Sequence, residues 1–170
     1  MTTTNQFTTS QRGRDLIKKH EGFAPKVYLC PAGKPTIGYG HVVKPSEKFT
    51  IINLAQAELL LTADLRIYEI YLNGVLANSR LKVPINQNQF DACASFTFNM
   101  GMGAFDRSTL RKKIQAGDFD GAAAQFVRWK YAKVRGKDTA LPGLLARRRA
   151  ECALFLEPLP VPVGLESKRD

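Results

Sequence analysis

A carboxylic acid, a thiol and a hydroxyl fall within one short stretch: Glu21, then Cys30 nine residues on, then Thr36 six beyond it. A carboxylic acid can protonate a leaving oxygen, while a group across the reacting centre activates water or attacks directly; glycosidic bond cleavage divides its labour in this way. Glu21 is the one acidic residue between positions 21 and 41. A free thiol ionises near pH ~8.5, so only a few per cent is thiolate at neutral pH unless its site intervenes. Cys30 can therefore serve as base, as nucleophile, or as a partner of Thr36 that only orients water. Taken singly, none of these residues marks an enzyme: a Glu at a helix end is usually solvated, and a Thr opening a strand reflects β propensity.

The elements around them follow from turn and capping signals. Residues 10–20 read as a helix with Ser10 as N-cap and Gly22 as its stop, which leaves Glu21 in the last turn. Residues 26–29 and 36–43 read as strands flanking the turn-rich run from Cys30 to Pro35. In the second strand Thr36, Gly38 and Gly40 share one face, nearly bare backbone suited to close approach by a ligand. Asn53 with Gln56 opens a long helix over 54–72 that Asn73-Gly74 ends, and Asn86 with Gln89 opens a core helix up to Met100. Helices over 109–116, 119 to about 130 and 141–156 follow, then a Pro-rich and charged tail over 157–170. The expectation is a mostly helical α+β protein: one domain over 1–156, with a β lobe about 23–52, a connecting helix about 54–72 and a helical lobe about 75–156.

The chain has 170 residues, 44% hydrophobic and 24% charged, and a net charge of +10, which fits a folded protein drawn to polyanions. Its polar start carries no apolar leader, so a cytoplasmic origin is expected. Cys30, Cys93 and Cys152 form neither a disulfide framework nor a zinc cluster, and Cys93 and Cys152 read as core residues.

The run His20-Glu21-Gly22-Phe23, then Val27-Tyr28, then Thr36-Ile37-Gly38-Tyr39-Gly40-His41 resembles the active-site signature of phage-type lysozymes, the glycoside hydrolase family 24 muramidases that include many endolysins. That family's set is a Glu, eight residues, an Asp or Cys, five residues and a Thr, and Glu21, Cys30 and Thr36 match it without a gap. The resemblance continues through Gln89-Phe90-Asp91, Ser95-Phe96, Phe98-Asn99, Ser108-Thr109-Leu110 and Leu141-Pro142-Gly143-Leu144, with Arg147-Arg148 and Glu151. It implies a two-lobed fold and hydrolysis of the β-1,4 bond between N-acetylmuramic acid and N-acetylglucosamine. It implies Glu21 as general acid, Cys30 in the place often held by Asp, and Thr36 placing water. No cofactor or metal is implied. The expected partners are peptidoglycan strands and an anionic envelope or membrane surface, not nucleic acid. The protein is expected to be a monomer that needs a separate holin to reach the wall.

Gly38, Gly40, His41 and Arg148 are read as substrate-binding or supporting residues. His41 is expected to brace the cleft through an acidic partner, with Asp91 one choice. Arg148 either points inward to Glu21 or substrate, or extends to solvent beside Arg147 and Arg149. Trp129 is expected to pack the helical lobe rather than stack on sugar. Two rivals compete with this reading: a zinc amidase using His20, Cys30 and His41, and a basic binding or membrane-disrupting module built on residues 128–149.

Overall fold

In the computed structural model, which describes residues 6–76 and 81–159, Ser10 caps helix α1 (Gln11–Glu21) by accepting from the Gly13 N–H, and Gly22 ends it. Glu21 is therefore its last residue. An antiparallel sheet follows in the order β1 (Ala24–Leu29), β2 (Pro35–Gly38), β3 (His41–Val42). The stretch expected as one strand over 36–43 is thus two strands, which turn back on each other through Tyr39 and Gly40 and set Ile37 opposite His41. Gly38 and Gly40 take φ of 66° and 87°, a region that side chains disfavour. The shared face of Thr36, Gly38 and Gly40 is lost at this turn, because alternation holds only while the chain stays extended.

Helix α2 (Leu54–Val75) opens with the Asn53/Gln56 capping box. It runs through Asn73 and Gly74 instead of stopping there. The Asn73 amide is engaged elsewhere: Nδ2 donates to the carbonyls of Phe7 and Glu69, and Oδ1 accepts from the Phe7 N–H. The side chain thus bonds back to the α2 carbonyl one turn earlier and clamps the segment at Phe7, which lets the helix run on past Asn73. Three apolar clusters are strung along α2. Ala57 packs with Ile37 and Ile52 at the sheet, Leu61 and Leu65 pack with Ile17 of α1, and Leu72 joins Phe90, Phe96, Phe126 and Phe155. Each large buried side chain contributes about 1.5–3 kcal/mol, so one helix holds sheet, α1 and helical core in a common frame.

Helix α3 (Gln87–Met100) is buried from Asn88 to Thr97, as a central helix must be. It packs on α1, α2, the short α4 (Met102–Arg107) and α7 (Pro142–Leu156). Helices α5 (Thr109–Ala116) and α6 (Phe119–Phe126) are capped by Ser108 and Asp118. Helix α6 ends at Phe126, short of the expected 130, and gives way to an antiparallel hairpin, β4 (Tyr131–Val134) and β5 (Lys137–Ala140). Its turn residues Arg135 and Gly136 both have positive φ, 50° and 81°, the pairing that tight hairpins need. Trp129 meets Phe96 edge-on at 5.3 Å, a packing role. Cys93 is buried and Cys152 partly so. Residues 160–170, most of the tail expected to be extended, lie outside the described residues. The class is mostly helical α+β, as expected.

Candidate active site

Glu21 emerges from the last turn of α1 with a side chain 21% exposed. Its Oε1 accepts from Arg147 Nη1 at 2.5 Å. Its Oε2 faces Gly40, where an added Cβ would lie 3.1 Å away. One oxygen is therefore held by a cation, and the other lies against bare backbone. Arg147 is itself buried, with Nε donating to Glu151 Oε1 at 3.3 Å and Nη2 to the Ser95 carbonyl at 3.2 Å.

Arg148 points inward but does not pair with Glu21, which corrects the expectation; Arg147 makes that contact. Arg148 Nη2 instead donates to Asn99 Oδ1 at 3.0 Å and Glu151 Oε1 at 2.8 Å, and its guanidinium carbon lies 5.0 Å from the Phe96 ring centre. Burial pushes the Arg148 pKa down to about 10, against the raising influence of Glu151. The solvent-directed alternative fails because the side chain is fully buried. Helix α7 buries Arg147, Arg148, Glu151, Leu154 and Phe155. Leu145 and Cys152 are only partly buried, so the inward face of α7 takes in Arg147 as well as Arg148.

Cys30 follows β1 in a turn closed by its N–H donating to the Lys34 carbonyl at 3.0 Å and by Gly33 N–H donating to its own carbonyl at 2.8 Å. The N–H groups of Lys34 and Ala32 face the thiol and, with a smaller contribution from Thr36, hold its pKa below the ordinary thiol value. Backbone donors favour the thiolate because they stabilise the charged form. Thr36 is buried, lies opposite Tyr28 in the β1–β2 register, and donates its hydroxyl to the Lys34 carbonyl at 3.0 Å. Burial raises the Tyr28 pKa first, and the charges of Glu21 and Cys30 raise it further. Tyr28 thus lies in the field of both groups, and Cys30 and Thr36 both belong to the β1–β2 hairpin. Gly38 is placed differently from Gly40: its absent Cβ would meet Ile52 and Ala57, so it lets β2 settle on the start of α2.

His41 is buried between two carboxylates. Nδ1 lies 2.9 Å from Asp64 Oδ2 on α2, and Nε2 lies 3.0 Å from Glu47 Oε2. Burial works against its charged form, but hydrogen bonds to Glu47 and Asp64 outweigh it and raise the pKa above the ordinary histidine value. Asp91, the partner expected from the sequence, is elsewhere. It accepts from Ser10 N–H and from Gln87 Nε2, both at 2.9 Å, and from the Ser10 hydroxyl, fixing the start of α1. Among the described residues no group of three or more His, Cys, Asp or Glu is placed to hold a metal ion, so His20, Cys30 and His41 form no zinc site.

Residues 18–151 match the phage lysozyme family. The chain belongs to the phage lysozyme family. It is a lysozyme, a muramidase that hydrolyses peptidoglycan. An endolysin of Acyrthosiphon pisum secondary endosymbiont phage 1 is 48% identical over 146 residues, covering 86% of this chain and 96% of that protein. The endolysin of Bacillus phage B103 is 41% identical over 149 residues and 86% of this chain, which spans only 53% of that longer protein. The solved endolysin from Escherichia coli O157:H7 phage FAHEc1 superposes with a TM-score of 0.81 at 35% identity, over 91% of this chain and 96% of its own.

Sequence reasoning missed Arg147, Asp64 and Glu47 as partners and Tyr28 as a residue in the field of both Glu21 and Cys30. For Arg147 a signal existed, since Glu151 lies one helical turn on from both Arg147 and Arg148. Nothing local singles out Asp64, which reaches His41 only through the tertiary fold, whereas Glu47 lies six residues on in the loop after β3.

Proposed function

We propose that this phage lysozyme acts as an endolysin in which Glu21 protonates the leaving glycosidic oxygen while Cys30 and Thr36 manage the attacking water. The observation that carries this reading is the unequal treatment of the two Glu21 oxygens. Oε1 is engaged by Arg147, so a transferable proton belongs on Oε2, which Gly40 leaves uncrowded. In the turn between β1 and β2 the Cys30 thiol has backbone donors that favour its thiolate, and Thr36 adjoins it. The thiolate that those donors favour can take a proton from water, and the neighbouring hydroxyl can orient that water. Gly40 leaves room for the acid, while Gly38, His41 and Arg148 support the surrounding frame.

The catalytic domain is read as residues 1–156, with the sheet as its smaller lobe and α2 as connector. Its substrate is the glycan strand, and its charge of +10 favours approach to an anionic envelope. It is read as a monomer released from the host cytoplasm through a holin-type pore. Among the described residues no helix is long and apolar enough to cross a membrane.

The test is a pH–rate profile of Cys30→Ala and Cys30→Asp beside wild type. Cys30→Ala is expected to lose about 10²–10⁴-fold in kcat. Cys30→Asp is expected to retain activity, with its acid limb moved to lower pH because a carboxylate ionises near ~3.9. A wild-type rate in Cys30→Ala would remove the thiol from the mechanism.

A further inference from the structure

Behind Glu21 lies a buried charge cluster that the chemistry above does not use. Glu151 is fully buried, and its Oε1 accepts from Ser95 Oγ at 2.7 Å, Arg148 Nη2 at 2.8 Å and Arg147 Nε at 3.3 Å. Its other oxygen, Oε2, has no partner, nor do Nε and Nη1 of Arg148. As a stabilising device this cluster is poor, since buried ion pairs with orphaned polar atoms commonly cost more than an apolar core of equal volume. What the cluster does is fix one guanidinium. Arg147 has Nε on Glu151 and Nη2 on the Ser95 carbonyl, which leaves Nη1 directed at Glu21 Oε1.

We propose that Glu151 is a positioning residue for the reaction: it anchors Arg147 from the rear, and Arg147 in turn sets the orientation and the proton-bearing oxygen of Glu21. The proposal rests on Glu21 being the acid. Its chemistry is also electrostatic. Arg147, Arg148 and Glu151 sum to one positive charge, and ionised Glu21 brings the group to neutrality. Removing the Glu151 charge leaves Arg147 on the acid and Arg148 behind it without a counter-charge, which favours the ionised form of Glu21. The other titratable groups around Glu21 are His20 on α1, Tyr28 on β1 and Tyr68 on α2. Burial and the nearby Arg147 lower the His20 pKa, so at neutral pH it adds no further cation.

The experiment measures kcat, KM and the pH–rate profile of Glu151→Gln, Glu151→Asp, Ser95→Ala and Glu21→Gln on a soluble glycan, with folding checked by circular dichroism. Glu151→Gln is expected to lower kcat about 10- to 100-fold with KM within about twofold, the size of effect that a misplaced catalytic group produces. Its basic limb should move to lower pH. Glu151→Asp, which keeps the charge, should return that limb to the wild-type position. If Glu151→Gln does not fold, Ser95→Ala decides: it removes one of the donors to Glu151 and should lower kcat without raising KM. Folded variants with wild-type kcat and an unmoved basic limb would overturn the proposal and leave Glu151 a structural residue. Undiminished activity in Glu21→Gln would instead overturn the assignment of the acid.

Discussion

A methyl group at Gly40 would lie 3.1 Å from Glu21 Oε2, and the residue sits at φ 87°. Gly40→Ala therefore meets two penalties, a backbone strain of about 1 kcal/mol and crowding of the oxygen assigned to the proton. We expect kcat to fall about 10- to 100-fold with only a small loss of melting temperature, checked by steady-state kinetics beside thermal unfolding. Wild-type kcat in a folded variant would mean that Oε2 needs no open space. At this scale the sequence nominates Glu21, Cys30 and Thr36 by type and spacing and is silent about who holds them. The Arg147 contact is not legible there, because choosing between adjacent arginines requires the rotation of α7 about its axis to within one residue. The depression of the Cys30 pKa also lies beyond residue types, since its main cause is the backbone of Ala32 and Lys34.

His41 joins two elements, for it pairs with Glu47 after the sheet and with Asp64 on α2. Its folded pKa is raised, so its contribution to stability is complete below the unfolded value near ~6.5 and is lost as pH rises through the folded pKa. Glu47 is shifted the other way: the hydrogen bonds from Lys44 N–H and from His41 lower its pKa. Its contribution is present above its unfolded value and lost as pH falls through the folded one. The clamp is thus strongest in the mildly acidic window, above the unfolded Glu47 value and below the unfolded His41 value. Asp64→Asn is expected to cost about 1–3 kcal/mol there, and the melting-temperature difference from wild type should shrink as pH rises past the His41 transition. A difference independent of pH would show that the pair contributes packing alone. Helix positions were largely legible, because Ser10, Asn53 and Asn86 cap helices where the sequence placed them, and the helices that Ser108 and Asp118 cap begin at the expected 109 and 119. The two hairpin turns were not. Tyr39-Gly40 hides inside a run of strand formers, and the 131–140 hairpin follows a helix whose pattern has no strong stop.

Over the whole molecule, α2 supports the sheet at one end and the aromatic core at the other, and α7 reaches back through Arg147 to the end of α1. The Glu21 carboxylate is therefore set by packing far from it in sequence, which is why the fold class could be read early and the surroundings of Glu21 could not. The net charge of +10 acts at this scale as well. Raising ionic strength from about 0.05 M to about 0.5 M shortens the screening length severalfold. Turbidity clearing of intact walls should slow accordingly, while kcat on a short neutral glycan stays constant. Equal salt sensitivity on both substrates would place the effect in the active site instead of in approach to the wall. The most direct test of the catalytic account is to digest purified peptidoglycan with wild type and with Glu21→Gln and to identify new chain ends by mass spectrometry. The account predicts reducing N-acetylmuramic acid ends from wild type and almost none from the folded variant. Anhydro ends, new peptide amines, or undiminished cleavage by Glu21→Gln would contradict it.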